Sequence, residues 1–152
     1  MDKQRLIIDQ LDRKFEKLKQ LDDLVIPPSG WIHSIRTALK MSLRQLGNNL
    51  GITAQSVKEM EEREKNYSIT LKGLREVGYA MNMKFFYGFI PDNTTLSDMI
   101  EQRALKIARE IVLRTSISMK LENQENLPEQ IQISIDEKKD ELIRKQPRYL
   151  WD

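Results

Sequence analysis

Leu6, Leu11, Phe15, Leu18 and Leu21 recur at roughly helical spacing among charged residues, which predicts an amphipathic helix over residues 2–24. Pro27-Pro28-Ser29-Gly30 stops it. Trp31, Ile32, Ile35 and Leu39 mark a second helix. Ser42 and Thr53 then start two short ones, the first with Leu43, Leu46 and Leu50 on one face, the second with Val57 and Met60. Thr70 caps a further helix bearing Leu71, Leu74, Val77 and Met81. The helical period breaks over residues 83–90, MKFFYGFI, an aromatic-rich run closed by Pro91 that predicts a strand. Thr95 and Asp98 open a long helix along Leu96, Ile100, Ala104, Ile107, Ala108 and Ile111. It is expected to run to about Asn123 and to bend where the weak helix formers Thr115, Ser116 and Ile117 cluster. Pro128 suits the first turn of a last helix with Ile131, Ile135 and Leu142, ended by Pro147.

The chain is therefore expected to be mainly α. Residues 1–29 hold an N-terminal helix, 30–91 a compact helical bundle with a terminal strand, 92–126 a long helix, and 127–152 a C-terminal helix and tail. A lone strand needs a partner. With no second strand in view, it is expected to pair with its counterpart from another subunit, giving a homodimer.

The stretch 42–63, SLRQLGNNLGITAQSVKEMEER, carries the most information. Gly51 can take a positive φ without steric cost and so end the first short helix, while Thr53 can accept the orphan amides of the next. Gly47 stands where a larger side chain would push the two helices apart. Two short helices about such a turn are a helix-turn-helix signature. On that pattern Gln55 can bond an adenine bidentately, Ser56 can serve a base or a phosphate, and Thr53 or Ala54 can touch a thymine methyl. Arg44, Lys58, Lys65 and Tyr67 would hold phosphates and set the docking register. Glu59, Glu61, Glu62 and Glu64 oppose this unless they point away from the duplex, and the neighbours Glu61 and Glu62 are expected to be solvated charge.

Composition narrows the classes. The net charge is +2, yet residues 30–90 hold nine basic against five acidic side chains, so the positive excess falls on the helix-turn-helix segment. There is no Cys and a single His, His33, which leaves no disulfide and no Cys- or His-rich metal site. No phosphate-cradling glycine loop, catalytic triad or metal-ligand cluster is present in the pattern, so neither catalysis nor a cofactor is expected. No apolar run approaches the roughly 20 residues that span a bilayer, and the first residues lack the apolar core of a signal peptide, so a soluble, cytoplasmic protein without membrane contact is expected.

On the long helix, residues 118–123 read Ser-Met-Lys-Leu-Glu-Asn, with Ser118 and Glu122 one turn apart on the same face. Together with the segment from Trp31 to Pro91 and the stretch AREIVLRTSISMKLENQ, this resembles the bacterial family called mobile mystery protein A, over roughly residues 1–125. The resemblance implies an Xre-type, lambda-repressor-like helix-turn-helix fold. It also implies a partner encoded beside it, a Fic-domain protein like mobile mystery protein B, which transfers AMP from ATP to target hydroxyls. By the same resemblance Ser118, Glu122 and Asn123 form the inhibitory-helix pattern of Fic antitoxins: Glu122 takes the arginine that would grip the γ-phosphate of ATP, Ser118 keeps the helix in register, and Asn123 lets it end near the nucleotide.

The expected function is an antitoxin that silences a Fic adenylyltransferase in trans and represses its own operon by sequence-specific binding to operator DNA. The alternative is a plain helix-turn-helix regulator whose C-terminal helices form a dimerisation or ligand-sensing module.

Overall fold

The computed structural model describes residues 3–121 and 128–152. They form seven α-helices and a closing 3-10 turn: α1 (Lys3–Lys19), α2 (Trp31–Ala38), α3 (Leu43–Leu50), α4 (Ala54–Lys65), α5 (Leu71–Ala80), α6 (Leu96–Leu121), α7 (Pro128–Lys145) and the turn Arg148–Trp151. The mainly α expectation holds. The chain divides into two compact units, one of residues 21–89 and one that unites the segment up to residue 20 with the segment from residue 90 onward. Helix α1 packs against α6 in the second of these units.

In the 21–89 unit, Ile32, Leu46, Val57 and Val77 form the buried centre, one from each of α2, α3, α4 and α5. Leu43, Leu50, Met60, Leu74 and Met81 pack around them. Each helix start has a chemical cause. The Ser42 hydroxyl accepts from the Gln45 amide at 3.0 Å while the Gln45 side chain accepts from the Ser42 amide at 2.8 Å, a reciprocal capping box. Thr53 and Thr70 accept from the amides of Ser56 and Gly73 at 3.1 and 2.9 Å. The start of α2 lacks a local cap, and Glu64, from the end of α4, supplies one: its two oxygens accept from the amides of Trp31 and Ile32 at 2.7 and 2.9 Å.

The other unit has its own core of Ile8 from α1, Ile100, Ala104, Ile107 and Ala108 from α6, Ile135 and Leu142 from α7, and Leu150 from the 3-10 turn. Ala104 and Ala108 are fully buried, at i and i+4, and their small side chains suit a close approach of packed helices. Asp12 of α1 caps α6: its carboxylate accepts from the Leu96 amide at 2.8 Å and from the Ser97 hydroxyl at 3.1 Å. A carboxylate there also meets the positive end of the α6 dipole. Arg103 donates to the carbonyls of Leu150 and Asp152, holding the 3-10 turn against α6.

Two local expectations change. The first helix stops at Lys19 rather than residue 24. Helix α6 runs through Thr115-Ser116 to Leu121, and the Thr115 hydroxyl donates back to the Ile111 carbonyl at 3.1 Å, a bond of the kind that accompanies helix bends. Residues 83–90 are non-helical but form no strand, since among the described residues nothing pairs with them. Among the described residues no helix is long and apolar enough to cross a membrane.

Candidate nucleic-acid interface

The turn between α3 and α4 is set by two glycines with different tasks. Gly51 closes α3 in the left-handed region at φ 71°, ψ 29°, where its amide satisfies the Asn48 carbonyl and the following Ile52 amide reaches Gly47 at 2.9 Å. Gly47 is buried, and a Cβ there would stand 2.7 Å from the Ile52 carbonyl oxygen. Only a bare Cα lets the turn fold back so tightly against α3.

From this turn α4 runs with Val57 fully buried and Glu61 nearly so, and with Gln55, Lys58, Glu59 and Glu62 exposed. Gln55 has no intramolecular partner among the described residues, so its amide is free to donate and accept outward. Thr53 is spent on the cap: its hydroxyl accepts from the Ser56 amide and donates to the Ser56 hydroxyl at 3.0 Å. What it still presents is its methyl group. Ser56, half-buried, keeps its own hydroxyl proton to donate, and Ala54 beside it is half-buried.

The structure thus brings Thr53, Ala54, Gln55, Ser56 and Lys58 together in the first turns of α4. It does not bring the other three there. Arg44 is exposed in the first turn of α3, about 10 Å of helix before Gly51. Lys65 and Tyr67 lie at and beyond the far end of α4, about 15 Å along it from Gln55. Tyr67 is 94% exposed and takes φ 66°, a conformation uncommon for a residue with a Cβ. The flanking turn holds it there: the Ser68 amide donates to the Arg63 carbonyl at 2.8 Å and to Asn66 Oδ1 at 3.1 Å.

The four carboxylates of α4 do not act alike. Glu61 turns inward, where it accepts from Arg36 Nε at 2.7 Å and lies 3.5 Å from His33 Nδ1. This corrects the expectation of solvated charge at that position. Glu64 is committed to the start of α2. The exposed face of α3 and α4 is left with Arg44, Lys58, Arg63 and Lys65 against Glu59 and Glu62. Arg36, His33 and Glu64 were not singled out as a group from the sequence. The signal was present, since Glu61 and Glu64 follow Val57 at i+4 and i+7 and so fall on the core face, where a carboxylate requires a donor.

Of the expected inhibitory set, Ser118 lies within α6, while Glu122 and Asn123 fall outside the described residues. Among the described residues no group of three or more His, Asp or Glu side chains is placed to hold a metal ion. No protein-family model, no curated protein and no solved structure matches this chain.

Proposed function

We propose that this chain is a DNA-binding antitoxin: α3 and α4 act as an Xre-type helix-turn-helix that reads an operator from the first turn of α4, and the segment 118–123 silences a Fic adenylyltransferase. The observation that carries the DNA half is the division of labour on α4. Its outer face starts with an unpartnered Gln55 beside a methyl group and a hydroxyl that keeps its proton to donate, a set suited to reading an A·T pair in the major groove. Two of its four carboxylates are withdrawn into internal bonds, which removes charge that would repel phosphate. Arg44, Lys58, Lys65 and Tyr67, spread before and along α4, suit phosphates flanking the read bases.

The Fic half rests on the Ser118, Glu122, Asn123 pattern and the resemblance it carries. A carboxylate can accept a bidentate guanidinium, so Glu122 would occupy an arginine needed to orient the γ-phosphate of ATP, leaving the nucleotide bound but unproductive. A neighbouring gene with the sequence HxFx(D/E)GNGRxxR, and co-purification of its product, is the expected partner.

Binding to its own promoter region is measured by anisotropy with the full chain. Gln55→Ala is expected to cost about 1 to 3 kcal/mol and to relax preference at one base pair, whereas Lys58→Ala weakens all sequences alike and lowers the salt slope by roughly one. Uniform weakening by Gln55→Ala would demote that residue to a phosphate contact. Glu122→Gly is expected to restore AMP transfer by the co-expressed partner with operator binding intact. Continued silence of the enzyme leaves a plain transcriptional regulator.

A further inference from the structure

Residues 83–90 leave α5 under tight restraint and then lose all partners. The Met83 amide donates to the Gly78 carbonyl at 2.7 Å, and a Cβ on Gly78 would stand 3.1 Å from the Met83 oxygen, so the chain presses on α5 as it departs. From Lys84 to Phe89, among the described residues, no backbone N–H or C=O is bonded within the chain. The rings of Phe85 and Tyr87 stack with centroids 6.1 Å apart and planes 19° from parallel. Side chains at i and i+2 share a side in extended backbone, and the two stacked rings stand in that relation.

It is also the most aromatic exposed surface of its unit. Phe86, Tyr87 and Phe89 are 58%, 63% and 80% exposed. Beside them opens a groove of about 460 Å³, lined by Trp31, Ile35, Leu74, Met81, Phe85 and Phe86. An unpaired edge and an apolar groove side by side call for one kind of occupant, an extended apolar segment. This chain carries such a segment in the run itself.

We propose that residues 84–90 pair antiparallel with the same run of a second copy, with Tyr87 opposite Tyr87 on the twofold axis. The register follows from what is free. Met83 has committed its amide to Gly78, and Pro91 has none, so the available ladder is 84–90 and its midpoint is Tyr87. In that register Phe85 faces the partner's Phe89 at both ends of the seam, and aromatic pairs stabilise antiparallel strands. It also sets Phe89, the most exposed of these rings, beside a residue that lines the groove. Phe86 lies across from Gly88, where its ring covers bare backbone. Lys84 faces Ile90, which keeps the two ammonium groups about 20 Å apart, beyond the screening length at physiological salt. The area is of the right order: the exposed parts of Trp31, Phe86, Tyr87 and Phe89 offer on the order of 500 Å² per copy, more than half of the roughly 800 Å² per partner of a standard interface. A self-complementary seam about a twofold axis closes at two copies.

The pairing supplies the twofold symmetry that a palindromic operator requires and so deepens the DNA-binding proposal, but its test needs no DNA. The chain contains no Cys, so Tyr87→Cys introduces a single thiol. Facing residues of an antiparallel pair have Cα atoms about 4.5 to 5.5 Å apart, within disulfide range. Under mild oxidation at micromolar concentration, Tyr87→Cys is expected to become a covalent dimer, while Tyr79→Cys, at a position 87% exposed, stays single. Sedimentation of the unaltered chain should give a dimer, and Phe89→Lys should weaken it roughly 100-fold. Monomeric mass with equal cross-linking of both thiols overturns the proposal, as does a monomer carrying an amphiphile in native mass spectrometry. A dimer that ignores DNA leaves it standing and sinks only the operator reading.

Discussion

Arg36 of α2 donates through Nε to Glu61 of α4 at 2.7 Å, in an ion pair whose side chains keep only 11% and 8% of their exposure. The same guanidinium donates through Nη1 to the Met41 carbonyl at 2.9 Å, so one side chain ties α4 to α2 and to the segment before α3. Removing one member of such a pair strands the other charge in low dielectric. Glu61→Gln is expected to destabilise the protein by about 3 to 5 kcal/mol in urea unfolding. Pairing Arg36→Met with Glu61→Leu should recover much of that loss, because neither charge is then left alone. Additive losses in the double variant would show that the two residues act independently.

Gly47 and Gly51 differ in what they tolerate. At Gly47 a methyl group meets backbone oxygen that cannot swing aside, so Gly47→Ala is expected to cost about 1 to 3 kcal/mol by prising α3 from the turn. At Gly51 a Cβ meets nothing within 4 Å, and the only demand is the left-handed conformation. Asn accepts that conformation better than other residues, so Gly51→Asn should cost less than about 1 kcal/mol. Thermal unfolding ranks the two variants, and the opposite order would mean that the turn is limited by conformation rather than by contact.

Glu141 on α7 accepts from Lys145 at 2.9 Å and from Lys138 at 3.2 Å. The hydrogen bonds from Lys145 and then Lys138, with the charges behind them, hold its carboxyl below the ordinary carboxylate value. A folded-state value below the unfolded one contributes stability above the unfolded value, near pH 4.3, and loses it as pH falls through the folded one. The stability difference between the unaltered chain and Glu141→Gln should therefore shrink on acidification below about pH 5. A carboxyl NMR titration should place the Glu141 midpoint lower in the folded chain than in urea. A difference that stays constant with pH removes the role assigned to these bonds.

The helix starts were legible because their causes are local: Ser42, Thr53 and Thr70 each bond an amide three residues on, and Gly51 and Gly47 act within their own turn. What escaped were bonds between distant positions. Glu64 reaches an amide 33 residues away, and Asp12 reaches one 84 residues away. Nothing near Asp12 in sequence distinguishes it from Asp9 or Asp22, so only the packing of α1 on α6 selects it. Glu61 was misread because charge outweighed periodicity, although its spacing from Val57 placed it on the buried face. The first short turns of α4 emerged as expected, with Gln55 outward. Of the expected inhibitory set, only Ser118 falls among the described residues.

The hydrogen bonds from the start of α6 to Asp12 span most of the chain, and the whole of residues 21–89 lies between their ends. During synthesis the middle unit is complete once Phe89 has cleared the ribosome, and it can close on its own core. Helix α1 precedes the middle unit yet finds its partner only after it, with Ile8 waiting in water until Ile100 and Ala104 are translated. The nascent chain therefore passes through a stage with a finished middle unit and an unclaimed helix α1, which is the form a chaperone or protease would meet.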